Sequence, residues 1–379
     1  LWNGGIGTYV KAVSESHADV GDLANNALRV NGRDLRCKVV GEGGNLGMTQ
    51  LGRIEFAQSG GRVNTDFIDN SAGVDTSDHE VNIKILLNQL TAARKLSIKK
   101  RNDLLADMSD EVAAQVLRNT YLQTQAISMM SILSPGMIGA MGHFIAVLEE
   151  SGSLDRELEF LPSTEELDER QKVGAGLTRP ELAVLLSYSK ITVYRQLLDS
   201  NVPEDSWLSA EAVNYFPAQI REKYAAHVAT HRLKREIVAT QVTNSLVNRM
   251  GATFLLRMQE DSGCEPCDVA RAYTIAREVF DARGFWSQVE KLDNRVDAGM
   301  QQTAMLEMWY LLRQATRWLL SLPQGRLDIA AMVKRLGPGV REMEKLIPAR
   351  LTSEEKAALK QREAPFVAAG FSRKLAKRI

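Results

Sequence analysis

The pattern of apolar and polar residues changes after about residue 90 of the chain. Before that point, short β-branched or aromatic runs alternate with loops rich in Gly, Asn and Ser, which predicts strand–loop–helix units. After it, apolar residues recur at helical spacing almost to the last residue. The sequence therefore predicts an α/β fold with a parallel sheet, followed by a large all-α helical domain.

The α/β part has the order strand, helix, strand, helix, strand, which favours parallel pairing. We predict these segments, in chain order, as Leu1–Tyr9, Ser14–Val30, Lys38–Val40, Met48–Gln58 and Arg62–Ile68. No Gly-x-Gly-x-x-Gly motif follows any of the strands, so the turn that binds a dinucleotide pyrophosphate is absent from this chain.

The helical part carries its own start signals. Capping boxes begin at Ser163, Thr178 and Thr352. Long apolar stripes predict helices over Ala225–Gln259 and Met300–Leu322. Stripes of this kind mark packing surfaces far more often than cofactor sites, so we interpret them as core.

Two polar loops, Val39–Gly47 and Asp69–Glu80, follow predicted strands, and ligands bind at this edge of open α/β sheets. Glycines such as Gly43 and Gly44 tolerate positive φ and leave no Cβ between the main chain and a flat ligand. Asn45 and Asn70 each present a carboxamide, which complements another primary amide such as that of nicotinamide. The alternative is a pair of ordinary Asx turns.

These loops resemble those of a known family. Gly41-Glu-Gly-Gly-Asn-Leu-Gly-Met-Thr49 is similar to the Ala-Glu-Gly-Ala-Asn-Gly-Pro-Thr-Thr segment of glutamate dehydrogenases. Asn70-Ser-Ala-Gly-Val-Asp-Thr-Ser77 resembles, without a gap, their Asn-Ala-Gly-Gly-Val-Thr-Val-Ser. The longer stretch Leu1–Leu87 resembles the large bacterial NAD-specific enzymes, whose C-terminal helical region would account for most of the remaining chain.

The resemblance implies a domain organisation and roles for single residues. Residues 1–94 would be the C-terminal half of a Rossmann-like dinucleotide-binding domain, and residues 95–379 a helical C-terminal domain. The Val74 carbonyl would face the substrate amino group, and the Ser77 hydroxyl would bind the side-chain carboxylate of glutamate. The coenzyme NAD would be held by Asn45, Asn70, Gly43 and Gly44.

The family's acid–base Lys and Asp match no position in this chain, so we expect them upstream of Leu1. We therefore expect a C-terminal fragment that is inactive by itself. Within a longer NAD-dependent enzyme it would help to convert L-glutamate to 2-oxoglutarate and ammonia. Two alternatives remain: a non-catalytic helical interaction or regulatory region, and a dehydrogenase for another amino acid. Ser77 favours an acidic substrate, because hydrogen bonds to a carboxylate are charge-assisted.

The composition and charge of the chain indicate which kinds of partner to expect. Forty-seven basic residues balance forty-seven acidic ones, which gives no field for nucleic acid. We find no signal sequence, and Pro135 and nearby glycines interrupt the most apolar run, so we predict a cytoplasmic protein with no membrane partner. The resemblance implies a homo-oligomer. Neither the Cys264–Cys267 pair nor His227 and His231 has further ligands nearby, so we expect no metal site.

Overall fold

The computed structural model describes residues 1–323 and 327–379, which form two compact units, Leu1–Thr253 and Phe254–Ile379. The described residues are mostly helical, as expected, with small parallel sheets near the N-terminus. This division by compactness does not test the predicted end of a dinucleotide-binding domain at residue 94. That boundary stays a prediction.

The N-terminal segment holds two short parallel strand pairs. Strand β1 (Trp2–Asn3) pairs with β4 (Gly41–Glu42), and β2 (Val10–Lys11) pairs with β3 (Val30–Asn31). The parallel pairing predicted from the element order is therefore confirmed. Helix α2 (Gln50–Gln58) lies where a helix was predicted. A small core forms beside these strands from Val10, Val40, Met48, Phe56 and Val63.

Three predicted elements of this segment are wrong. The expected strand Lys38–Val40 makes only an isolated bridge at Val39, and β4 lies after it, within the predicted polar loop. The expected strand Arg62–Ile68 makes one isolated bridge, between Arg62 and Val39, and then turns into helix. Two carboxylates of this segment explain the difference. Asp69 accepts a hydrogen bond from the Glu42 N–H and Asp66 accepts one from the Leu46 N–H, both in the glycine-rich loop Val39–Gly47. These bonds hold the segment beside the loop without strand pairing. The helix expected over residues 14–30 is only His17–Val20 (α1), since Gly21 ends it in the left-handed conformation (φ 72°).

The first unit continues with a series of further helices. They are α3 (Asp66–Asp69), α4 (Ser71–Ala92), α5 (Ile98–Asp107), α6 (Ser109–Glu150), α7 (Thr164–Lys172), α8 (Arg179–Leu198), α9 (Glu211–Tyr215), α10 (Ala218–Val228) and α11 (Lys234–Met250). Helix α8 begins at the predicted capping box of Thr178 and packs against α2, α6 and α11. Most of its apolar side chains are buried, although Ile191 is exposed, so it forms the centre of this unit.

The second unit packs around α13. Its helices are α12 (Phe254–Ser262), α13 (Pro266–Val279), α14 (Ala282–Glu290), α15 (Ala298–Leu320), α16 (Ile329–Arg350), α17 (Ser353–Ala368) and α18 (Arg373–Ala376). Helix α15 confirms the stripe predicted over residues 300–322. The long helix predicted over residues 225–259 is instead divided among α10, α11 and α12. Gly251, which adopts φ 85°, separates α11 from α12.

Helix α6 differs from the sequence-based expectation about membranes. By length and composition it could cross a membrane, and Pro135 does not end it. Helices α4, α8 and α11 pack against it, and we interpret it as a packing helix of the first unit. The absence of a membrane partner stays a prediction.

Candidate functional site

The first unit contains a cavity of about 800 Å³ that is open to the surface. The glycine-rich loop after β4 and the start of α4 line one side, and helices α6, α8 and α11 line the other. Its lining residues include Asn45, Asn70, Val74, Asp75, Asn119, Gln123, Lys190 and Asn248. Two coenzyme-binding candidates and one substrate-binding candidate from the sequence thus meet at one cavity.

The two candidate carboxamides are in direct contact. Nδ2 of Asn70 donates a hydrogen bond of 2.7 Å to Oδ1 of Asn45. Asp66 positions both residues, since its Oδ2 accepts from the Leu46 backbone N–H and its backbone carbonyl accepts from the Asn70 N–H, each at 2.7 Å. Leu46 takes positive φ (59°), which turns the loop toward Asp66. The contact explains how residues from separate loops form one polar pair.

A buried ion pair between Arg53 and Glu42 stabilises the glycine-rich loop. Arg53 on α2 donates through Nε to Oε2 of Glu42 at 2.7 Å and through Nη2 to Oε1 at 3.0 Å. The same Nη2 lies 3.1 Å from Oδ1 of Asp66. Removal from water raises the pKa of the Glu42 carboxyl, although the Arg53 charge opposes this. The guanidinium thus links the end of β4 to the residue that holds Asn45 and Asn70.

The glycines of the loop serve packing rather than unusual backbone angles. Neither Gly43 nor Gly44, which were expected to tolerate positive φ, adopts it. A Cβ on Gly43 would lie 2.2 Å from the Trp2 ring, and one on Gly44 would lie 2.4 Å from the Gly5 carbonyl oxygen. Both glycines therefore let the loop approach the N-terminal segment. Their contact with a coenzyme stays a prediction.

The predicted substrate residues lie on helix α4, not in a loop. The loop expected over residues 69–80 is wrong from Ser71 onward, since α4 begins there. Val74 lines the cavity. Its carbonyl lies in the first turns of the helix, where the N–H four residues later is the regular partner. Ser77 is exposed, its Oγ donates to the Gly73 carbonyl at 3.3 Å, and it is not among the lining residues. The roles assigned to both residues stay predictions.

Sequence reasoning missed Lys190, which reaches the cavity from α8. Its Nζ donates to Oε1 of Gln123 at 3.1 Å, and Nε2 of Gln123 donates to Oγ of Ser71 at 3.1 Å. Burial lowers the pKa of Lys190 to about 7, and the charge of Asp75 only partly opposes this. A signal was present in the sequence, because Lys190 is the one charged residue between Glu181 and Arg195.

Asp75 connects the cavity wall to a buried aromatic stack. Its Oδ2 accepts from Nδ2 of Asn119 at 2.8 Å, and its Oδ1 lies 3.6 Å from Nε2 of His79. His79 stacks on Tyr215 with ring centroids 4.2 Å apart. Burial lowers the pKa of His79, and Asp75 and Asp78 oppose that shift. Both oxygens of Asp75 thus face groups within the protein.

Asn248 on α11 adds an unpaired acceptor. Only 6% of the residue is exposed, and it lines the cavity. Within residues 1–323 and 327–379, its Oδ1 has no hydrogen-bond partner. A buried polar atom without a partner costs free energy, so in a folded protein it is the exception.

Comparison with known proteins identifies the family. Residues 174–379 match the family described as "Glutamate dehydrogenase, C-terminal". This match covers more than half of the chain. The chain belongs to the glutamate dehydrogenase family. Residues 1–130, which carry the Asn45 and Asn70 loops, match the glutamate dehydrogenase family "Bacterial NAD-glutamate dehydrogenase, catalytic domain".

Curated glutamate dehydrogenases are similar over essentially the whole chain. The NAD-specific glutamate dehydrogenase of Pseudomonas aeruginosa is 50% identical over 379 residues, and that of Halomonas elongata is 48% identical over 376. The enzyme of Mycobacterium tuberculosis is 38% identical over 379 residues. The alignments cover 99% or more of this chain but 23% of each relative. The resemblance stated from the sequence is confirmed.

Proposed function

We propose that this chain is part of an NAD-dependent glutamate dehydrogenase, which converts L-glutamate to 2-oxoglutarate and ammonia. The observation that carries the proposal is the Asn45–Asn70 contact at the cavity. Both carboxamides occupy the positions that correspond to Asn in the family's motifs. The names of the relatives support the choice of NAD and of glutamate.

The residues present fit a nicotinamide group. The cavity volume of about 800 Å³ lies within the usual range for small-molecule sites. After their mutual bond, each carboxamide still has donor or acceptor capacity for a second amide. When bound, NAD accepts a hydride from the substrate. Asn45 and Asn70 would orient the ring, while the loop held by Gly43 and Gly44 would keep the pair in place.

The chain's contribution to the reaction would be positioning. Val74 and Ser77 would place glutamate through its amino group and side-chain carboxylate. Holding two reactants in near-attack geometry supplies a large part of the acceleration of such reactions. The proton transfers need an acid–base Lys and Asp, which match no position here and would be supplied by another part of the enzyme.

The proposal includes an architecture. The parallel pairs of residues 1–94 would complete a Rossmann-like sheet with further strands of the enzyme, and residues 95–379 would be its helical C-terminal domain. The described sheets have only two strands each, which supports this, since folded proteins usually pair or cover the edges of their sheets. We further propose a homo-oligomeric, cytoplasmic enzyme that takes neither nucleic acid nor a membrane as partner.

Kinetics on the full-length protein test the function. We expect reduction of NAD with L-glutamate, and much lower rates with leucine, valine or phenylalanine. A higher rate with one of these amino acids than with glutamate would show that it is the substrate instead. The isolated 379-residue chain should show no turnover, and substantial turnover by it would refute the placement of the acid–base groups elsewhere.

A further inference from the structure

Lys190 lines the cavity and has no anionic partner in an ion pair among the described residues. Its side chain is partly buried. Its hydrogen-bond partner, Oε1 of Gln123, is neutral. A neutral amide replaces only part of the hydration of a buried ammonium group, so the site favours either a neutral lysine or a bound anion.

The carboxylates of the cavity are largely occupied. Asp66 pairs with Arg53 and accepts the Leu46 backbone N–H. Asp75 accepts from Asn119 with one oxygen and faces His79 with the other. Asp78 also lines the cavity from α4; it is mostly exposed, and its partial burial and the charge of Asp75 raise its pKa. The charge of Asp75 acts on Lys190, but among the described residues no carboxylate forms an ion pair with it.

We propose that Lys190 binds a carboxylate of the amino-acid substrate, so that helix α8 forms one wall of the substrate site. The inference rests on the proposed function and deepens it, because it gives the helical region, matched by the C-terminal family, a direct part in substrate recognition. Asn248 on α11 lines the same cavity and would form part of the same wall.

The position of α8 makes this wall continuous with the coenzyme-binding loop. Arg179, its first residue, donates through Nε and Nη2 to Oδ1 of Asn64 at 3.1 and 2.8 Å. Nδ2 of Asn64 donates to Asp69, whose other carboxylate oxygen accepts from the Glu42 N–H. Helix α8 is thus tied to the loop of Asn45 at one end and presents Lys190 to the cavity three turns later.

Steady-state kinetics of the full-length protein with Lys190→Gln and Lys190→Arg test the inference. Loss of a charge-assisted hydrogen bond should raise the KM for glutamate and 2-oxoglutarate about tenfold or more in Lys190→Gln. The KM for NAD should stay within twofold. Lys190→Arg keeps the positive charge and should raise these KM values less than Lys190→Gln does. Lys172→Gln removes an exposed charge on α7 and should match the wild type.

Two results would overturn the inference. One is a KM for glutamate in Lys190→Gln within twofold of the wild type. The other is an equal rise of the KM for NAD, which would assign Lys190 to the coenzyme. Circular dichroism and thermal unfolding of each variant confirm that the comparison concerns folded protein. Norvaline, which has no side-chain carboxylate, identifies the carboxylate that Lys190 binds. If Lys190→Gln raises the KM for glutamate but not for norvaline, Lys190 binds the side-chain carboxylate. If it raises the KM for both, Lys190 binds the α-carboxylate.

A binding measurement separates this inference from the proposed function. Glutarate carries two carboxylates and no amino group, and its binding to the full-length protein can be measured by calorimetry without turnover. We expect affinity to fall about tenfold in Lys190→Gln and to be kept in Lys172→Gln. If the wild type does not oxidise glutamate, the proposed function fails, while the glutarate titration still decides the role of Lys190. Unchanged glutarate affinity in Lys190→Gln would refute it.

Discussion

Nδ2 of Asn70 donates a hydrogen bond of 2.7 Å to Oδ1 of Asn45, and the two residues are 25 positions apart in sequence. The bond joins the loop after β4 to the junction of α3 and α4. Each carboxamide therefore fixes the orientation of the other before any ligand arrives.

The first prediction concerns this pair. Asn45→Ala and Asn70→Ala in the full-length protein should each raise the KM for NAD about tenfold, since each removes one ligand bond and releases the remaining partner. The double variant should lose less than the sum of the two effects, because the residues are coupled. Asn102→Ala, on the exposed side of α5, is the matched control. Additive effects in the double variant would contradict the coupling.

Ser77 provides a second prediction with a neighbouring control. Ser77 and Thr76 are both exposed on α4, and each hydroxyl donates to the carbonyl four residues earlier. Ser77→Ala should raise the KM for glutamate roughly three- to tenfold by removing a hydrogen bond to a carboxylate. Thr76→Ala should have no such effect. Equal KM values for the two variants would remove Ser77 from the substrate site.

The buried pair of Glu42 and Arg53 predicts a stability effect. Arg53→Met leaves the buried Glu42 carboxylate without its cation and should lower the free energy of unfolding by about 3–5 kcal/mol. The double change Glu42→Gln with Arg53→Met removes that charge as well and should recover part of the loss. Thermal or denaturant unfolding measures both, and a double variant no more stable than Arg53→Met would contradict the explanation.

The lowered pKa of Lys190 predicts a pH-dependent effect on stability without substrate. The pKa is about 7 in the folded protein and near the ordinary value of 10.5 in the unfolded chain, so between these values the unfolded state binds more protons. The contribution of Lys190 to stability is therefore least favourable below pH 7 and improves as pH rises toward 10.5. Lys190→Met should raise Tm at pH 6 by a few degrees, roughly 2–4 °C per kcal/mol. The gain should shrink by pH 9, whereas Lys172→Met should show no such trend.

The close packing of Gly44 on the N-terminal segment gives a prediction about stability. In Gly44→Ala the new Cβ would meet the Gly5 carbonyl oxygen at 2.4 Å, so backbone must move, and we expect a loss of about 1–3 kcal/mol in stability. Gly139→Ala on α6 meets nothing within 4 Å and should be neutral or stabilising by about 0.5–1 kcal/mol. A Gly44→Ala variant as stable as the wild type would show that the loop adapts freely.

Local pattern determined much of this protein. The capping boxes at Ser163, Thr178 and Thr352, the apolar stripe of α15 and the parallel order of the first strands depend on neighbouring residues, and the structure contains each of them. The motifs around Asn45 and Asn70 were sufficient to state the family. These features are readable because periodicity, capping and motif spacing are properties of short segments.

Tertiary structure decided the rest. Sequence alone predicted a strand where Asp66 and Asp69 instead hold a helical turn against the glycine-rich loop, and it gave no reason to associate Lys190 with Asn45. Those outcomes depend on contacts between residues far apart in the chain, such as Arg53 with Glu42 and Arg179 with Asn64. Side-chain charges compete for partners only after the helices pack, and the packing of α8 against α6 and α11 places Lys190 at the cavity.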